Sequence, residues 1–282
     1  MFTRAVDGAE LHFEVEGEGP AVVLSNGLAN DAFQWKALRK GLAGRAKVVT
    51  WDYRGHGRSQ PARDLQRLSV ADLAADLEQV LDAAGVERAA LLGYSMGSQV
   101  VFEAWRRLPQ RVTALVSVLG GAGRVFDGAA GPRAGKVIHR LLRRVPDSAF
   151  AANLVVGSRL SSVVHRGAQV IGMFEPHIAH DDFADWYSHL GSIHAPTFRA
   201  LTLGLQDHDA FDLLPGISVP TLVLSGGRDL FVRPGLGRKI AAAIPGAEYA
   251  EYPEATHAGL VGHAAEIPPR ILQFLEQRQL IA

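Results

Sequence analysis

Two kinds of hydrophobic pattern alternate along this chain of 282 residues. Short apolar runs rich in β-branched residues, typical of buried strands, are separated by segments with the apolar spacing of a helix. Such runs predict strands at residues 21–24, 46–51, 89–92, 112–119 and 221–224, alternation of apolar and polar residues predicts a half-buried strand at 11–15, and a further short strand is predicted at 248–252. Because helical segments separate most of these runs, the sequence predicts a mainly parallel sheet with helices on both faces.

The ends of several elements carry local signals. Asp7 and Gly8 form a hairpin-turn pair before the first of these strands. Ser69 is expected to cap a helix with the help of Asp72, and Gly85 follows the end of that helix. The other helices predicted outside the central segment are residues 33–42, 98–108, 238–244 and 264–275.

The alternation stops between residues 122 and 216, where no strong strand signal occurs. Helical spacing instead predicts four or five short helices, with the clearest signals at residues 133–145, 168–173, 182–190 and 197–205. We therefore expect a core formed by residues 1–121 and 217–282, interrupted by a helical insert of residues 122–216.

The first helix of the insert is amphipathic. Its cations, Arg133, Lys136, Arg140, Arg143 and Arg144, are expected to face solvent, and its apolar stripe, Val137, Ile138, Leu141 and Leu142, to join a core. Steering of anionic substrates or contact with a membrane surface is the alternative interpretation.

Composition excludes several classes of protein. The formal net charge is zero, so nothing argues for a nucleic-acid partner. The absence of cysteine excludes a disulfide scaffold and thiolate chemistry. The N-terminal residues have no apolar signal core, and no apolar run approaches the ~20 residues needed to span a bilayer. We expect a cytoplasmic protein without integral membrane association.

The strongest chemical signal is Gly93-Tyr94-Ser95-Met96-Gly97, which lies between a predicted strand and a predicted helix. A serine at such a corner is typical of the nucleophile of a hydrolase. The tight turn lifts the hydroxyl clear of the sheet, and only glycine fits at the two flanking positions.

A candidate acid and a candidate base follow in the order found in such hydrolases. Asp229 ends a glycine turn after a buried strand, at the sheet edge where open α/β folds bind ligands. His257 follows the last predicted strand. It is expected to accept the proton of Ser95 while Asp229 orients its ring. His263 is a competitor, which we interpret as a surface residue.

On four motifs the chain resembles the α/β-hydrolases that carry a helical cap, and the resemblance runs nearly end to end. The motifs are Ser25-Asn26-Gly27-Leu28, the segment 52–59, the serine corner, and the Asp229 and His257 pair. The resemblance implies a mainly parallel eight-stranded sheet and a Ser-His-Asp mechanism. The two middle motifs are typical of small esterases, lactonases, cofactor-free haloperoxidases and dehalogenases.

The oxyanion hole is expected from the backbone N–H groups of Met96 and Leu28. Family members usually have His-Gly where this chain has Asn26-Gly27, so Asn26 must brace this loop differently. The segment from Asp52 to Ser59 is expected to brace a turn beside the site, without catalytic work by Asp52 or His56.

The sequence thus predicts a serine hydrolase that cleaves a carboxylic ester or lactone without a cofactor or metal. Its partner is a small-molecule substrate, and a homodimer is left open. The candidate substrate-binding residues are aromatic: Trp35, Tyr94, Phe126, Phe174, Trp186 and Phe231.

Other interpretations remain open. A thioesterase, a carbon–carbon bond hydrolase or a perhydrolase would use the same triad, and a ligand receptor of this fold would turn over slowly. A serine nucleophile argues against the dehalogenases and epoxide hydrolases that resemble this fold but use Asp.

His177 and His180 have spacing that suggests a metal site but lack a third ligand cluster. Gly120-Gly121-Ala122-Gly123 lacks the third glycine of a dinucleotide fingerprint.

Overall fold

The computed structural model describes residues 1–170 and 173–282. An eight-stranded sheet forms its centre, in the order β1-β2-β4-β3-β5-β6-β7-β8. The first two strands run antiparallel to their neighbours, and the pairs from β4–β3 through to β7–β8 are parallel. The strands are β1 Phe2–Arg4, β2 Glu10–Glu16, β3 Ala21–Ser25, β4 Lys47–Trp51, β5 Ala89–Tyr94, β6 Val112–Val118, β7 Thr221–Gly226 and β8 Glu248–Tyr252.

Helices cover both faces of the sheet. The α-helices of the described residues are α1 Lys36–Leu42, α2 Val70–Ala83, α3 Met96–Arg107, α4 Val125–Ala130, α5 Pro132–Leu142, α6 Asp147–Arg159, α7 Ser161–Val170, α8 Ala184–Leu190, α9 Ala195–Asp207, α10 Pro234–Ala243, α11 Gly259–Gly262 and α12 Ile267–Gln277. Helices α4 to α9 all lie between β6 and β7, in the segment predicted as the helical insert.

Alternating side chains of the strands build two apolar layers, as a period of two requires. In β3, Val23 packs with residues of α2 and α3, whereas Val22 and Leu24 pack on the opposite face with residues of α1 and α12. The parallel strands are buried on both sides, which explains their near-continuous apolar sequences. The predicted fold class is confirmed.

Local signals were also informative. Ser69 accepts a hydrogen bond from the N–H of Asp72 at 3.1 Å, and the Asp72 carboxylate accepts one from the N–H of Ser69 at 2.9 Å. This reciprocal pair begins α2 as expected. The helix predicted for residues 168–173 overlaps the end of α7, and residues 171–172 lie outside the described part of the chain.

The interpretation of the amphipathic helix α5 was wrong in one respect. Its apolar stripe does not join a core, because Val137 and Leu141 are 51% and 55% exposed and Ile138 is exposed as well. Apolar periodicity shows that one face of a helix differs from the other, but not that another element covers it. The insert also holds six α-helices among its described residues, one more than the upper estimate.

The segment from Asp52 to Ser59 contains a buried ion cluster. Arg54 is fully buried, and its guanidinium binds Asp76 at 2.7 Å and Asp7 at 3.0 Å. Burial raises the pKa of Asp76 to about 6, against the opposing effect of Arg54. The cluster ties the turn after β4 to α2 and to the loop after β1. Within the described residues, no helix is long and apolar enough to cross a bilayer.

Candidate active site

Ser95 lies at the corner between β5 and α3 in a strained backbone conformation, with φ 53° and ψ −115°. Non-glycine residues rarely adopt positive φ, and such strain often marks functional sites. A Cβ atom at Gly93 would collide with the carbonyl group of Gly97, and one at Gly97 would collide with the Ser25 carbonyl oxygen. The glycines on either side of Ser95 are therefore required by the close approach of backbone to backbone.

A chain of hydrogen bonds joins three side chains that are far apart in sequence. His257 Nε2 lies 2.9 Å from Ser95 Oγ, and His257 Nδ1 lies 2.7 Å from Asp229 Oδ2. The other oxygen of Asp229 accepts hydrogen bonds from the N–H groups of Phe231 and Val232 at 2.8 and 2.9 Å. These donors fix a fully buried carboxylate. The geometry suits an imidazole that donates to Asp229 and accepts from Ser95.

The two backbone N–H groups predicted to form the oxyanion hole have no protein acceptor in the described part of the chain. Among the described residues, neither Leu28 nor Met96 donates its N–H to a protein acceptor. Met96 begins α3, so its N–H belongs to the unsatisfied donors of a helix N-terminus. Free N–H groups at such a position are suited to bind negative charge.

The loop of residues 26–30, which is predicted to supply one donor of the oxyanion hole and is called the oxyanion loop below, is braced by Asn26. The Asn26 side chain accepts a hydrogen bond from the Trp35 indole at 3.0 Å and donates one to the Trp51 carbonyl at 3.1 Å. The Tyr53 hydroxyl donates to the Asn26 carbonyl at 2.7 Å. Asn26 thus holds this loop by an amide hydrogen-bonded at both ends.

The prediction that Trp35 contacts substrate was wrong. Its side chain is fully buried between the oxyanion loop and the apolar layer on the α1 side of the sheet, and it packs against the ring of Tyr94. The aromatic signal was real, but it came from packing and from the hydrogen bond to Asn26. The size and sequence position of an aromatic residue do not by themselves distinguish packing from substrate contact.

His56 supports the same loop from the other side. Its Nε2 atom accepts the N–H of Ala29 at 3.2 Å, and its Nδ1 atom lies 3.2 Å from the Arg54 carbonyl oxygen. Burial lowers the pKa of His56 to about 4, and the neighbouring His189 acts in the same direction. A neutral His56 can accept from Ala29 and donate to Arg54 at the same time.

The backbone around His257 is held by two side chains that sequence reasoning did not assign to this task. The Tyr94 hydroxyl donates to the carbonyl of His257 at 2.5 Å, and Glu175 of the insert accepts the N–H of Thr256 at 2.8 Å. Burial raises the pKa of Tyr94 well above its usual range, with the charges of Asp229 and Glu175 adding to the effect, so Tyr94 remains a donor. The position of Tyr94 next to Ser95 in the glycine-flanked motif marked it as a candidate site residue, whereas nothing in the sequence marked Glu175.

Comparisons with known proteins identify the family of the fold described above. The sequence profile of the alpha/beta hydrolase fold matches residues 20–132. A protein of Azorhizobium caulinodans, described as a candidate carbamate hydrolase and named RutD, is 30% identical over 255 residues, which cover 89% of each chain. The chain belongs to the α/β-hydrolase family. Proteins similar to it are named as hydrolases, esterases and lactonases, and the chain is a hydrolase.

Solved structures are similar to this α/β-hydrolase over nearly its whole length. An esterase from Thermogutta terrifontis is 25% identical and covers 99% of both chains with a TM-score of 0.78. The enol-lactonase from Burkholderia xenovorans LB400 has a TM-score of 0.77 and 24% identity, covering 98% of this chain and all of its own, which supports the fold alone.

Of the aromatic residues predicted to bind substrate in this α/β-hydrolase, Phe231 lies beside the candidate base. Its ring centre is 5.1 Å from that of His257, and its side chain is partly open to solvent. Phe174 and Trp186 belong to an apolar cluster of the insert that also includes Ala29 and Ala258. The Trp186 indole donates to the Ala29 carbonyl at 2.7 Å. Phe126 lies beside His139 of α5, and its binding role remains a prediction.

Two further histidine predictions have outcomes. The His177 and His180 segment is part of no group of three or more metal-ligating side chains among the described residues of the hydrolase. His263 is not a surface residue, because its side chain is only 12% exposed and lies between Glu175 and Glu266. Its Nδ1 atom binds Glu266 at 2.9 Å.

Proposed function

We propose that this α/β-hydrolase cleaves a carboxylic ester or lactone through an acyl-enzyme formed on Ser95. The observation that carries the proposal is the chain of hydrogen bonds from Ser95 through His257 to Asp229, with heavy-atom distances of 2.9 and 2.7 Å. A serine at ordinary pKa is a weak nucleophile, and an adjacent base oriented by a carboxylate activates it.

In the proposed reaction, Ser95 Oγ attacks the substrate carbonyl carbon as its proton passes to His257 Nε2. The N–H groups of Leu28 and Met96 bind the oxyanion of the tetrahedral intermediate. His257 returns the proton to the leaving alcohol, and the ester bond to Ser95 remains. Water then gives a proton to His257 and attacks the acyl carbon, and the acid leaves as His257 returns that proton to Ser95. Asp229 stays ionised and stabilises the imidazolium in both halves.

Aromatic and apolar groups near His257 support a substrate with an apolar portion. Phe231 is the nearest of them, and the cluster with Phe174 and Trp186 includes Ala29 of the oxyanion loop and Ala258, the residue after His257. We therefore place the acyl or alcohol chain of a small-molecule substrate against this aromatic side of the site.

Carbamates are a second candidate substrate class. The relative named as a candidate carbamate hydrolase is 30% identical over 89% of both chains. A carbamate carbonyl would meet the same nucleophile and the same free N–H donors. Thioesters, activated carbon–carbon bonds and perhydrolysis remain alternatives with the same triad, and a receptor with slow turnover remains an alternative outside ordinary enzymes.

The test is hydrolysis by purified protein of a panel of p-nitrophenyl esters, lactones, thioesters and aryl carbamates. We expect ester or lactone turnover that is reduced at least ~10³-fold in Ser95→Ala. Preferred turnover of carbamates would select the second candidate. Turnover that Ser95→Ala leaves unchanged would refute the mechanism, and negligible turnover with ligand-dependent thermal stabilisation would favour the receptor.

A further inference from the structure

We propose that Glu175 of the helical insert is a positioning residue for the catalytic base, a role that couples the insert to the chemistry. This inference rests on the proposed function, because it assigns His257 as the base. Glu175 is only 2% exposed although it carries a carboxylate, and it belongs to no catalytic motif.

The contact of Glu175 lies one residue from His257. Its Oε1 atom accepts the N–H of Thr256 at 2.8 Å. The carbonyl of the following residue, His257, accepts the Tyr94 hydroxyl at 2.5 Å. The two residues 256–257 are therefore held at both ends, by Glu175 from the insert and by Tyr94 from the strand that leads to Ser95. A side chain placed to within fractions of an ångström needs such support from a second layer of residues.

The carboxylate is packed tightly at this place. A Cβ atom on Gly262 would lie 2.7 Å from the carboxyl carbon of Glu175, so glycine at position 262 makes room for the group. His263 Nε2 lies 3.8 Å from Glu175 Oε1. Among the described residues, the second oxygen of Glu175 has no hydrogen-bond partner. Burying a charged group with so few partners is costly, which argues that its bond to Thr256 has a task beyond filling space.

The segment that carries Glu175 is itself tied to the rest of the insert. Gln169 donates hydrogen bonds from its amide to the carbonyl oxygens of Glu175, Pro176 and Ile178, at 3.4, 3.3 and 2.9 Å. Phe174, the preceding residue, stacks on Phe183 with ring centres 4.7 Å apart. A change in the packing of this aromatic pair would therefore move the backbone next to Glu175. Glu175 would thus transmit the state of the insert to the position of His257.

The test compares Glu175→Ala and Glu175→Gln with the wild type. A glutamine retains an oxygen that can accept from Thr256, whereas alanine does not. We expect Glu175→Ala to lower kcat by ~10- to 100-fold with KM changed less than about threefold, as for a catalytic group moved by a fraction of an ångström. Glu175→Gln should recover most of the lost kcat. The control is His177→Ala, which removes the 2.9 Å contact of His177 with the Gly262 carbonyl in the same segment and should keep kcat within about threefold.

Amide hydrogen exchange gives a readout that is independent of turnover. The N–H of Thr256 should exchange about tenfold faster in Glu175→Ala than in the wild type and be protected again in Glu175→Gln. Unchanged kcat and unchanged Thr256 exchange in Glu175→Ala would overturn the inference. So would equal losses in both variants, because the hydrogen bond would then not be the cause. A wild type without turnover would refute the proposed function instead, and Thr256 exchange would still decide whether Glu175 holds this residue.

Discussion

The indole Nε1 of Trp35 lies 3.0 Å from Oδ1 of Asn26, and both side chains are fully buried. The same amide donates to the Trp51 carbonyl, so Asn26 joins the oxyanion loop to both Trp35 and Trp51. This arrangement explains how the chain holds the loop with Asn26 at the position where family members usually have histidine.

Asn26→Ala should therefore lower kcat. Without the amide, the Trp35 N–H loses its acceptor and the loop that carries Leu28 is free to shift. We expect a decrease of ~10- to 100-fold in kcat for ester hydrolysis, with a smaller change in KM. Asn153→Ala, which removes an exposed asparagine of α6, is the control and should leave kcat unchanged. Wild-type kcat in a folded Asn26→Ala would contradict this account of the loop.

The two arginines of the segment after β4 should differ sharply in their contribution to stability. Arg54 is fully buried against Asp7 and Asp76, whereas the Arg58 side chain is 64% exposed and bridges to Glu14. Removing Arg54 leaves buried carboxylates without their cation. Urea unfolding should show that Arg54→Ala lowers the free energy of unfolding by about 3–5 kcal/mol. Arg58→Ala should cost about 1 kcal/mol or less. Equal losses would contradict the structural role of Arg54.

The low pKa of His56 predicts a pH dependence of stability. Its pKa falls from the ordinary 6.5 to about 4 in the folded state, so the unfolded chain binds more protons between these values. The contribution of neutral His56 to the free energy of unfolding is then fully present above pH 6.5 and is lost as the pH falls toward 4. His56→Gln retains an acceptor for Ala29 without titrating. The stability of the wild type relative to His56→Gln should fall by about 3 kcal/mol between pH 7 and pH 4.

Free energies of unfolding measured by urea at several pH values test this expectation. The raised pKa of Asp76 has the opposite effect on the pH dependence, but that residue is present in both proteins, so its effect cancels in the difference. Parallel pH profiles for the wild type and His56→Gln would show that folding does not lower the pKa of His56.

Phe231 should contribute to substrate binding more than to the chemical step. Its ring is partly exposed and lies 5.1 Å from the His257 ring, where an apolar acyl or alcohol chain would cover it. For a p-nitrophenyl ester of medium chain length, Phe231→Ala should raise KM about tenfold, with kcat changed less than about threefold. The neighbouring Leu230→Ala removes a side chain of similar exposure and serves as the control. An unchanged KM in Phe231→Ala would remove this residue from the binding site.

The sequence predicted the parallel strands β3 to β7 well because each is a short apolar run, whereas β1, Phe2–Arg4, contains no such run and was not predicted. The order of Ser95, Asp229 and His257 was also readable, since each follows a strand and the ends of parallel strands meet at one edge. The helices of the insert were harder to predict from the sequence. α6 has no regular apolar stripe, and the stripe of α5 gave no sign that it would stay exposed.

Contacts between segments that are far apart along the chain could not be predicted from the sequence. Trp35 looked like a substrate contact because a large aromatic residue near a site has two common uses, and only its hydrogen bond to Asn26 separates them. Glu175 stands in no motif, and its role depends on the fold of the insert over the His257 loop. The roles of Trp35 and Glu175 each depend on a partner that is remote in sequence or belongs to another element.

The central claim is that Ser95 is a nucleophile activated by His257. The most direct measurement is labelling of the folded protein with a fluorophosphonate, followed by intact mass and peptide mapping. We predict one label per chain, on Ser95, with labelling abolished in Ser95→Ala and slowed at least ~10³-fold in His257→Ala. A folded wild-type protein in which Ser95 remains unlabelled would contradict the account.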